Sequence, residues 1–458
     1  MLSFGGSLYS TSLFALTLLL LTLVSTGYYY YIPYVLGITI EEKYTTSYFQ
    51  IEPIINDPNL KIEQVVEGLE LPTTMAFLGP DDILVLEKDK GTVQRIINGI
   101  MQEEPVLDVN VANANERGML GIDVANSVND KGEHTTYVFL YYSEAEEEGK
   151  DICPKLSKDF DKPCTGVDAL GNRLYRYELI NNKLVNPKLL LDLPATPNRH
   201  NGGPVVVGPD QNVYVVLGDV NHTTQAQNNA SGEEPDGTSG IHRVTQNGEL
   251  VDGKGILSDE DPLNKYYAYG IRNSFGMDFD PVTGKLWDTE NGGEADEINL
   301  VESGFNSGWN AVSGMSSYSD DFDPEADLVS FGGKGKYSDP EFALRDNVGP
   351  TALKFLDSDK LGTEYQNDLF VGDVNNGRIY HFDLNEERTG LILDGMLADK
   401  VADVDSENEN IIFGERVGGI TDIEVGPDGY LYVVSLGHGA IYRILPATDV
   451  VSTPDVDM

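Results

Sequence analysis

Short runs in which apolar and polar residues alternate recur along the chain from about Leu60 to Leu445. A typical run is YLYVV, which begins at Tyr430 and follows a Pro-Asp-Gly turn. A period of two is typical of half-buried strands, and Pro-Asp and Asp-Gly pairs turn the chain between strands. Long stretches of helical periodicity are nearly absent. The pattern therefore predicts an all-β chain built from antiparallel hairpins.

The same hairpin unit recurs six times, although the second copy is looser than the others. The copies begin at Phe77, Gly121, Val207, Phe279, Phe355 and Val425. Repeats of roughly 45–85 residues, each with several short strands, are typical of the blades of a β-propeller with long loops. We therefore expect a six-bladed propeller over residues 61–446, with loops from every blade gathered around one end of the axis. The alternative is a set of unrelated hairpins of common composition.

Residues 1–40 predict a membrane anchor or a signal segment. The uncharged run LFALTLLLLTLV begins at Leu13, and tyrosines suited to a membrane interface follow it. No basic residue precedes Lys43, whereas a secretory signal normally begins with positive charge. We favour an uncleaved transmembrane helix that holds the propeller outside the cytoplasm, although a small-x-small site at Ser25 leaves cleavage and secretion open. Residues 41–60 are expected to form a stalk, and residues 447–458 an acidic tail.

The net charge and the cysteines narrow the class of protein further. The formal net charge is −44, which argues against binding of nucleic acid or anionic lipid through a basic surface. The two cysteines, Cys153 and Cys164, lie close together and no histidine is nearby. This spacing predicts one disulfide and hence an oxidising compartment.

Two polar groups lie at the mouths of predicted strands. His200 precedes a strand-like run and is followed closely by the pair Gly202–Gly203, which would let the backbone approach a ligand. A histidine there can accept a proton near neutral pH, or can simply satisfy a backbone group in a turn. Arg272 and Asn273 hold the same place in the next unit, either as contacts to an anionic ligand or as a structural loop pair.

The stretch TENGGEADEINL concentrates carboxylates around the pair Gly292–Gly293. The acidic residues are Glu290, Glu294, Asp296 and Glu297. Carboxylates so close together repel one another unless a cation lies between them, and oxygen ligands suit Ca²⁺. The alternative is a solvated acidic loop.

Several stretches together resemble the glucose/sorbosone dehydrogenase family, the soluble quinoprotein sugar dehydrogenases. In chain order they are ERGMLGIDV, RHNGGPVVVGPDQNVYVVLGD, GIRNSFGMDFDPVTGKLWDTENG, DEINLV, NSGWN and ITDIEVGPDGYLYVV. The resemblance covers roughly residues 60–445. It implies a six-bladed propeller that oxidises aldoses or related polyols with pyrroloquinoline quinone (PQQ) and Ca²⁺, and passes electrons to an external acceptor.

The resemblance also implies roles for individual residues. His200 corresponds to the general base that removes a proton from the substrate hydroxyl, and Arg272 and Asn273 correspond to the pair that contacts the quinone. In the implied calcium site, Gly292 and Gly293 supply backbone carbonyls, and Asp296 and Glu297 supply acidic ligands. The backbone of Ser307 is one further position of this site.

This sequence departs from the family pattern in the implied quinone pocket. Glu116 replaces a glutamine, Asn375 with Asn376 replaces a lysine, and Gly419 and Thr421 replace arginines. Compensating positive charge would have to come from other arginines, for which the candidates are Arg117, Arg199, Arg378 and Arg416. Two alternatives to a dehydrogenase therefore stay open: a non-catalytic binding propeller that keeps Ca²⁺ for rigidity, and a Ca²⁺-dependent lactone hydrolase.

Overall fold

The computed structural model describes residues 52–128, 132, 134–145 and 169–447. The predicted anchor, the cysteine pair and the acidic tail lie outside these residues, as does most of the predicted stalk, so those features stay predictions. Within the part that is described, no helix has both the length and the apolar character needed to cross a bilayer.

The described part of the chain is built almost entirely of short strands. Those of its first half are β1 (Ile54–Ile55), β2 (Leu60–Glu67), β3 (Pro72–Gly79), β4 (Asp82–Glu87), β5 (Thr92–Ile97), β6 (Ile100–Met101), β7 (Leu107–Asp108), β8 (Met119–Val128), β9 (His134–Ala145), β10 (Ala169–Ile180), β11 (Lys183–Leu193), β12 (Val205–Val207), β13 (Asn212–Leu217), β14 (Gly240–Thr245) and β15 (Tyr266–Tyr269).

The remaining strands are β16 (Ser274–Phe279), β17 (Leu286–Glu290), β18 (Asp296–Val301), β19 (Phe305–Asn306), β20 (Lys336–Tyr337), β21 (Phe342–Leu344), β22 (Pro350–Phe355), β23 (Leu369–Asp373), β24 (Ile379–Phe382), β25 (Val401–Ala402), β26 (Ile412–Glu415), β27 (Ile420–Val425), β28 (Leu431–Ser435) and β29 (Ala440–Pro446). One α-helical turn, α1, covers Pro324–Asp327. Short 3-10 segments cover Gln225–Gln227, Val251–Gly253, Leu263–Lys265, Ser316–Tyr318, Gly395–Asp399 and Asp405–Asn410.

The described strands pair into six mainly antiparallel sheets. Sheet 1 contains β3 to β7, sheet 2 contains β8 to β11, and sheet 3 contains β12 to β15 with β19 and β20. Sheet 4 contains β16 to β18 with β21 and β25, sheet 5 contains β22 to β24 with β26 and β1, and sheet 6 contains β27 to β29 with β2. Each of the six sequence repeats spans the first hairpin of one sheet.

The first strands of successive sheets contact one another in a closed cycle. β3 contacts β8, β8 contacts β12, β12 contacts β16, β16 contacts β22, β22 contacts β27, and β27 contacts β3. This cyclic arrangement of sheets confirms the predicted all-β propeller class. The core lies between neighbouring sheets, as where Trp287 of sheet 4 packs against Phe355 of sheet 5.

The N-terminal strands close the ring. β2 pairs with β29 and so completes sheet 6, while Ile54 and Ile55 of β1 pair with β26 of sheet 5. The sequence predicts a stalk over residues 41–60. Within that range, Ile54 and Ile55 already pair with sheet 5, and Leu60 pairs with sheet 6. Two paired residues are too few to show an alternating pattern, which is why β1 escaped prediction.

Carboxylates join neighbouring sheets at every second contact around the axis. Asp123 accepts the backbone N–H of Val207, and Asp278 accepts that of Phe355. Asp422 of sheet 6 likewise accepts the N–H of Met75 in sheet 1. Each of these bonds satisfies a backbone N–H on the first strand of a sheet. That N–H faces the neighbouring sheet, where no strand of its own sheet can accept it.

Candidate functional site

A histidine–aspartate pair forms at the open end of the hairpin of β12 and β13. Val205 pairs with Val215, so the residues before β12 meet those after β13. His200 and Asp219 are both buried, with Nδ1 of His200 2.6 Å from Oδ1 of Asp219. Gly218 makes this approach possible, because a Cβ there would lie 2.5 Å from the His200 carbonyl oxygen.

Donors on both sides hold the carboxylate of Asp219. The backbone N–H of Asn221 donates to Oδ1 at 2.7 Å, and Trp309 Nε1 donates to Oδ2 at 2.7 Å. An ionised carboxylate only accepts hydrogen bonds, so Nδ1 of His200 must carry the proton that it shares with Asp219. Nε2 then keeps its lone pair, which is the tautomer that a general base requires.

Glu116 and Asn273 join this pair to the neighbouring sheets. Oε2 of Glu116 accepts the backbone N–H of His200 at 2.7 Å and Nδ2 of Asn273 at 3.1 Å. Oδ1 of Asn273 accepts the N–H of Gly202 at 3.2 Å. Three of the predicted site residues therefore meet in one network, contributed by the loops that precede the first strands of sheets 2, 3 and 4.

Gly202 allows the loop before β12 to pack closely against β13. Its φ is +63°, and a Cβ would lie 2.3 Å from the carbonyl oxygen of Val216. A glycine is therefore required at position 202 by the close approach of the backbone of β13, and the approach of a ligand to Gly202–Gly203 stays a prediction. His200 itself has a φ of +55°, a conformation that non-glycine residues adopt infrequently.

Arg272 lies between the histidine pair and the acidic loop. Its guanidinium donates to the carbonyl oxygen of Asn291 at 2.7 Å, and its Cζ lies 5.4 Å from the centre of the Trp309 ring. Its backbone N–H donates to Oε1 of Glu290 at 2.6 Å, and its carbonyl accepts the N–H of Asp219 at 2.8 Å. The positive charge is thus held against an aromatic face beside the candidate base.

Two buried carboxylates face each other below this arginine. Glu290 of β17 pairs in register with Glu297 of β18, and the hydroxyl of Ser307 is 2.6 Å from one and 3.2 Å from the other. Burial raises the pKa of Glu297 to about 7, and burial together with the charge of Glu297 raises the pKa of Glu290 well above its ordinary value. Their other donors are neutral N–H groups of Arg272, Gly314 and Asn299, which do not cancel two adjacent negative charges, so the pair favours a proton or a cation.

Asp296 shapes the glycine loop next to this pair. Its oxygens accept the N–H groups of Gly292 at 3.0 Å and Gly349 at 2.8 Å, and burial raises its pKa to about 6. The carbonyl oxygens of Gly292 and Gly293 accept no hydrogen bond from any described residue. These two free carbonyls and the neighbouring glutamates are oxygen donors of the kind that Ca²⁺ prefers.

The other predicted quinone contacts, Asn375 and Thr421, form their side-chain hydrogen bonds outside this network, although Asn375 lies beside Gly349, which donates to Asp296. Nδ2 of Asn375 donates to the carbonyl of Asn347 at 3.3 Å, and the hydroxyl of Thr421 donates to the carbonyl of Pro72 at 3.1 Å. No hydrogen bond in the described part of the chain links either residue to His200. Arg378, one candidate for compensating charge, instead pairs with Asp405.

Two members of the site escaped prediction as functional residues, namely Asp219 and Trp309, and the sequence did not pair Glu290 of the acidic loop with Glu297. Hairpin register is the signal that could have found Asp219 and the Glu290–Glu297 pair. A residue just before β12 must lie near one just after β13, and Glu290 must face Glu297 across β17 and β18.

Comparisons with known proteins identify the family of the chain. The family model "Glucose / Sorbosone dehydrogenase" matches residues 69–443. The aldose sugar dehydrogenase YliI of Escherichia coli is 26% identical over 395 residues, covering 84% of this chain and 93% of the relative.

Two solved structures share the fold. The soluble aldose sugar dehydrogenase of Escherichia coli in its apo form has a TM-score of 0.62 at 23% identity, covering 84% of this chain and 99% of its own. The PQQ-bound form of aldose sugar dehydrogenase from Streptomyces coelicolor has a TM-score of 0.59 at 20% identity, covering 84% of this chain and 98% of its own.

Proposed function

The chain belongs to the glucose/sorbosone dehydrogenase family, and from this we propose that it is a quinoprotein dehydrogenase that oxidises a sugar or polyol. The observation that carries the proposal is the 2.6 Å contact between His200 Nδ1 and Asp219 Oδ1, with Arg272 and Asn273 alongside. Each of the six sheets is proposed to be one blade, with the site at the end of the ring where the second strand of each hairpin ends.

His200 and Asp219 have different roles in the proposed reaction. Nε2 of His200 would accept the proton of the substrate hydroxyl as the carbon is oxidised. Asp219 would hold the ring in its tautomer and stabilise the imidazolium that forms, because its carboxylate is fixed by Asn221 and Trp309.

The residues present offer a fit for the cofactors that the family implies. The carbonyls of Gly292 and Gly293, with the carboxylates of Glu290 and Glu297, would hold Ca²⁺, which would replace the proton that this buried pair otherwise favours. Arg272, Asn273 and the face of Trp309 would bind PQQ, with Asp296 and Ser307 shaping the loop. When bound, PQQ supplies a hydride acceptor that Ca²⁺ makes more electrophilic.

The proposal is tested by titrating the full-length protein with PQQ in millimolar Ca²⁺, following absorbance, and then measuring dye reduction with a panel of aldoses and polyols. We expect stoichiometric binding and sugar-dependent reduction. His200→Ala should keep PQQ binding and lose dye reduction, whereas His134→Gln, at an exposed histidine, should change neither.

Two outcomes would replace the proposal with its alternatives. Absence of PQQ binding together with Ca²⁺-dependent melting would indicate a non-catalytic binding propeller, in keeping with the uncharged side chains of Asn375 and Thr421. Hydrolysis of lactones without any electron acceptor would indicate a lactonase. Full dye reduction by His200→Ala would remove His200 from the mechanism.

A further inference from the structure

A second group of chemically active side chains lies on sheet 5. His381 belongs to β24, Asp383 follows it two residues later, and Asp368 immediately precedes β23. Side chains two apart on a strand share a face. Leu369 pairs with Phe382, so the next step along the ladder places Asp368 opposite Asp383.

This group lies on a different sheet from the His200–Asp219 pair, and at the opposite end of its hairpin. The residues around His200 cluster where the second strand of a hairpin ends, as with Asp219 after β13. Asp368 precedes the second strand of its hairpin. The two groups are therefore separate sites.

The three side chains converge on one point. Each offers a ligand atom, and these atoms all lie within 4.8 Å of one another. Nε2 of His381 is 2.9 Å from Oδ2 of Asp368. The side chain of Asp368 is 12% exposed and that of His381 is 20% exposed, while Asp383 lies at the surface. Two of the three side chains are therefore largely packed in the protein, and the third is accessible to solvent.

The two carboxylates oppose each other, and no lysine or arginine in the described part of the chain forms an ion pair with either. Directly opposite like charges destabilise a sheet. A metal ion shared by both carboxylates would turn this repulsion into attraction.

Aromatic rings fix the position of the imidazole. The ring of His381 lies 5.1 Å from Tyr365, 5.0 Å from Phe370 and 6.2 Å from Phe413, measured between ring centres. Tyr365 is itself held by Asp57, to which its hydroxyl donates at 2.8 Å. A cavity of about 340 Å³ lined by His381 and Tyr365 adjoins the group. The ligand nitrogen is therefore preorganised beside a space that solvent can fill.

We propose that Asp368, His381 and Asp383 form a binding site for a divalent transition metal of the Zn²⁺ type. An imidazole nitrogen with two carboxylates suits Zn²⁺ and its neighbours, whereas Ca²⁺ prefers oxygen ligands alone. Three protein ligands leave a fourth position for water. A bound metal would tie the turn before β23 to β24 at the surface where the N-terminal residues Asn56 and Asp57 pack.

The test measures Zn²⁺ affinity of the full-length protein by competition with a chromophoric chelator, in saturating Ca²⁺ so that oxygen-only sites are filled. Asp383→Asn keeps the His381–Asp368 contact and changes only a surface carboxylate. Loss of a residue that only hydrogen-bonds to a metal ligand already lowers metal affinity by about 10–100-fold. Asp383→Asn and His381→Gln each change a ligand itself. We therefore expect each variant to lower the affinity for one equivalent of Zn²⁺ by at least that factor.

His222 supplies the matched control, because its Nδ1 lies 2.9 Å from Asp236 Oδ2 with no second carboxylate in a comparable described group. His222→Gln should leave Zn²⁺ affinity unchanged. Zn²⁺ should also raise the melting temperature of the wild type and of His222→Gln, but not that of Asp383→Asn.

Equal Zn²⁺ affinity in the wild type, Asp383→Asn and His381→Gln would overturn the proposal, because any binding would then come from scattered surface carboxylates. So would a Zn²⁺-induced rise in melting temperature that Asp383→Asn retains. The PQQ titration is independent of these measurements, so either proposal can fail while the other stands.

Discussion

The role proposed for Asp219 depends on the one proton that it shares with Nδ1 of His200. Asp219 fixes the tautomer of His200, and its own orientation depends on Asn221 and Trp309. An amide in its place would offer N–H groups as well as an oxygen, and would no longer stabilise a positively charged ring.

We therefore expect Asp219→Asn to lower kcat for sugar-dependent dye reduction by about 10²–10⁴-fold while PQQ binding is retained. Steady-state kinetics and a PQQ titration on the same sample would show this. Asp236→Asn, which alters the partner of His222 instead, is the control and should keep kcat within about twofold of the wild type. An unchanged kcat for Asp219→Asn would contradict the role of this carboxylate.

The calcium site proposed at Glu297 and Glu290 makes stability depend on Ca²⁺ in a way that can be measured. Removing one carboxylate should relieve their repulsion, so Glu297→Gln should melt at a higher temperature than the wild type in a chelator at pH 8. The wild type should gain more than the variant when Ca²⁺ is added, because the variant has lost a ligand. Differential scanning calorimetry with and without Ca²⁺ measures both effects.

Glu294→Gln is the matched control, because Glu294 lies in the same loop but is exposed. It should melt like the wild type under both conditions. A Ca²⁺ response in Glu297→Gln as large as that of the wild type would place the ion elsewhere.

The sequence identified most charged members of the site but not their connections. His200, Arg272 and Glu297 stand out because such side chains seldom precede or interrupt strands without reason. Asp219 and Trp309 do not, since an aspartate after a strand and a tryptophan after a glycine are ordinary in turns. Only pairing in three dimensions shows that Trp309 reaches across 90 residues of sequence to Asp219.

At the scale of strands, the sequence located the six hairpins because each contains a strong turn and an alternating second strand. It missed β1 and β25, which have two residues each, too few for a period to appear. Both join a sheet through partners distant in sequence. Their positions follow from packing of the whole ring rather than from local pattern.

The pairing of β2 with β29 should contribute strongly to stability. Ile62 pairs with Ile444 within this ladder, and Arg443 bonds to Glu63 beside it. Lys61 is paired with Leu445 at a hydrogen-bonded position of the ladder, so Lys61→Pro removes a ladder hydrogen bond and should cost about 1–3 kcal/mol, visible as a lower melting temperature or urea midpoint. Ile100→Pro, in the exposed two-residue strand β6, should cost clearly less. Equal losses would show that closure of sheet 6 contributes little.

The whole ring surrounds a strongly acidic interior near its axis. A cavity of about 340 Å³ is lined by Asp278, Glu424 and Lys354, and Asp123 and Asp422 lie on the adjoining strands. Lys354 bonds to Glu424 at 2.8 Å and is the one basic residue in the described lining. Burial raises the pKa of Asp123 to about 6 and that of Glu424 to about 7.

These shifts fix the sign of a pH effect. A carboxyl whose folded pKa is raised stabilises the fold below its ordinary pKa, and this contribution is lost as the pH rises through the folded value, here from about 4 to about 7. Lys354→Met removes the compensating charge, so we expect a loss of about 3–5 kcal/mol at pH 8 and a smaller loss at pH 5. Chemical unfolding at the two pH values measures the difference.

Lys400→Met is the control for this variant, because Lys400 forms a surface ion pair with Glu341. It should change stability by less than about 1 kcal/mol at either pH. A loss of stability in Lys354→Met that is equal at both pH values would mean that ionisation of the axial carboxylates does not determine the effect of this lysine.

Closure of the ring by β2 also imposes an order on biosynthesis. Glu63 leaves the ribosome 380 residues before its partner Arg443. At about 5–20 residues per second, β2 waits roughly 20–80 s as an unpaired strand beside five sheets that can already assemble. Its sequence LKIEQVVE places Lys61, Glu63 and Glu67 among the apolar residues, and such charges discourage a lone strand from pairing with other chains. The strand that makes the finished ring stable is thus also the one whose composition protects the nascent chain from aggregation.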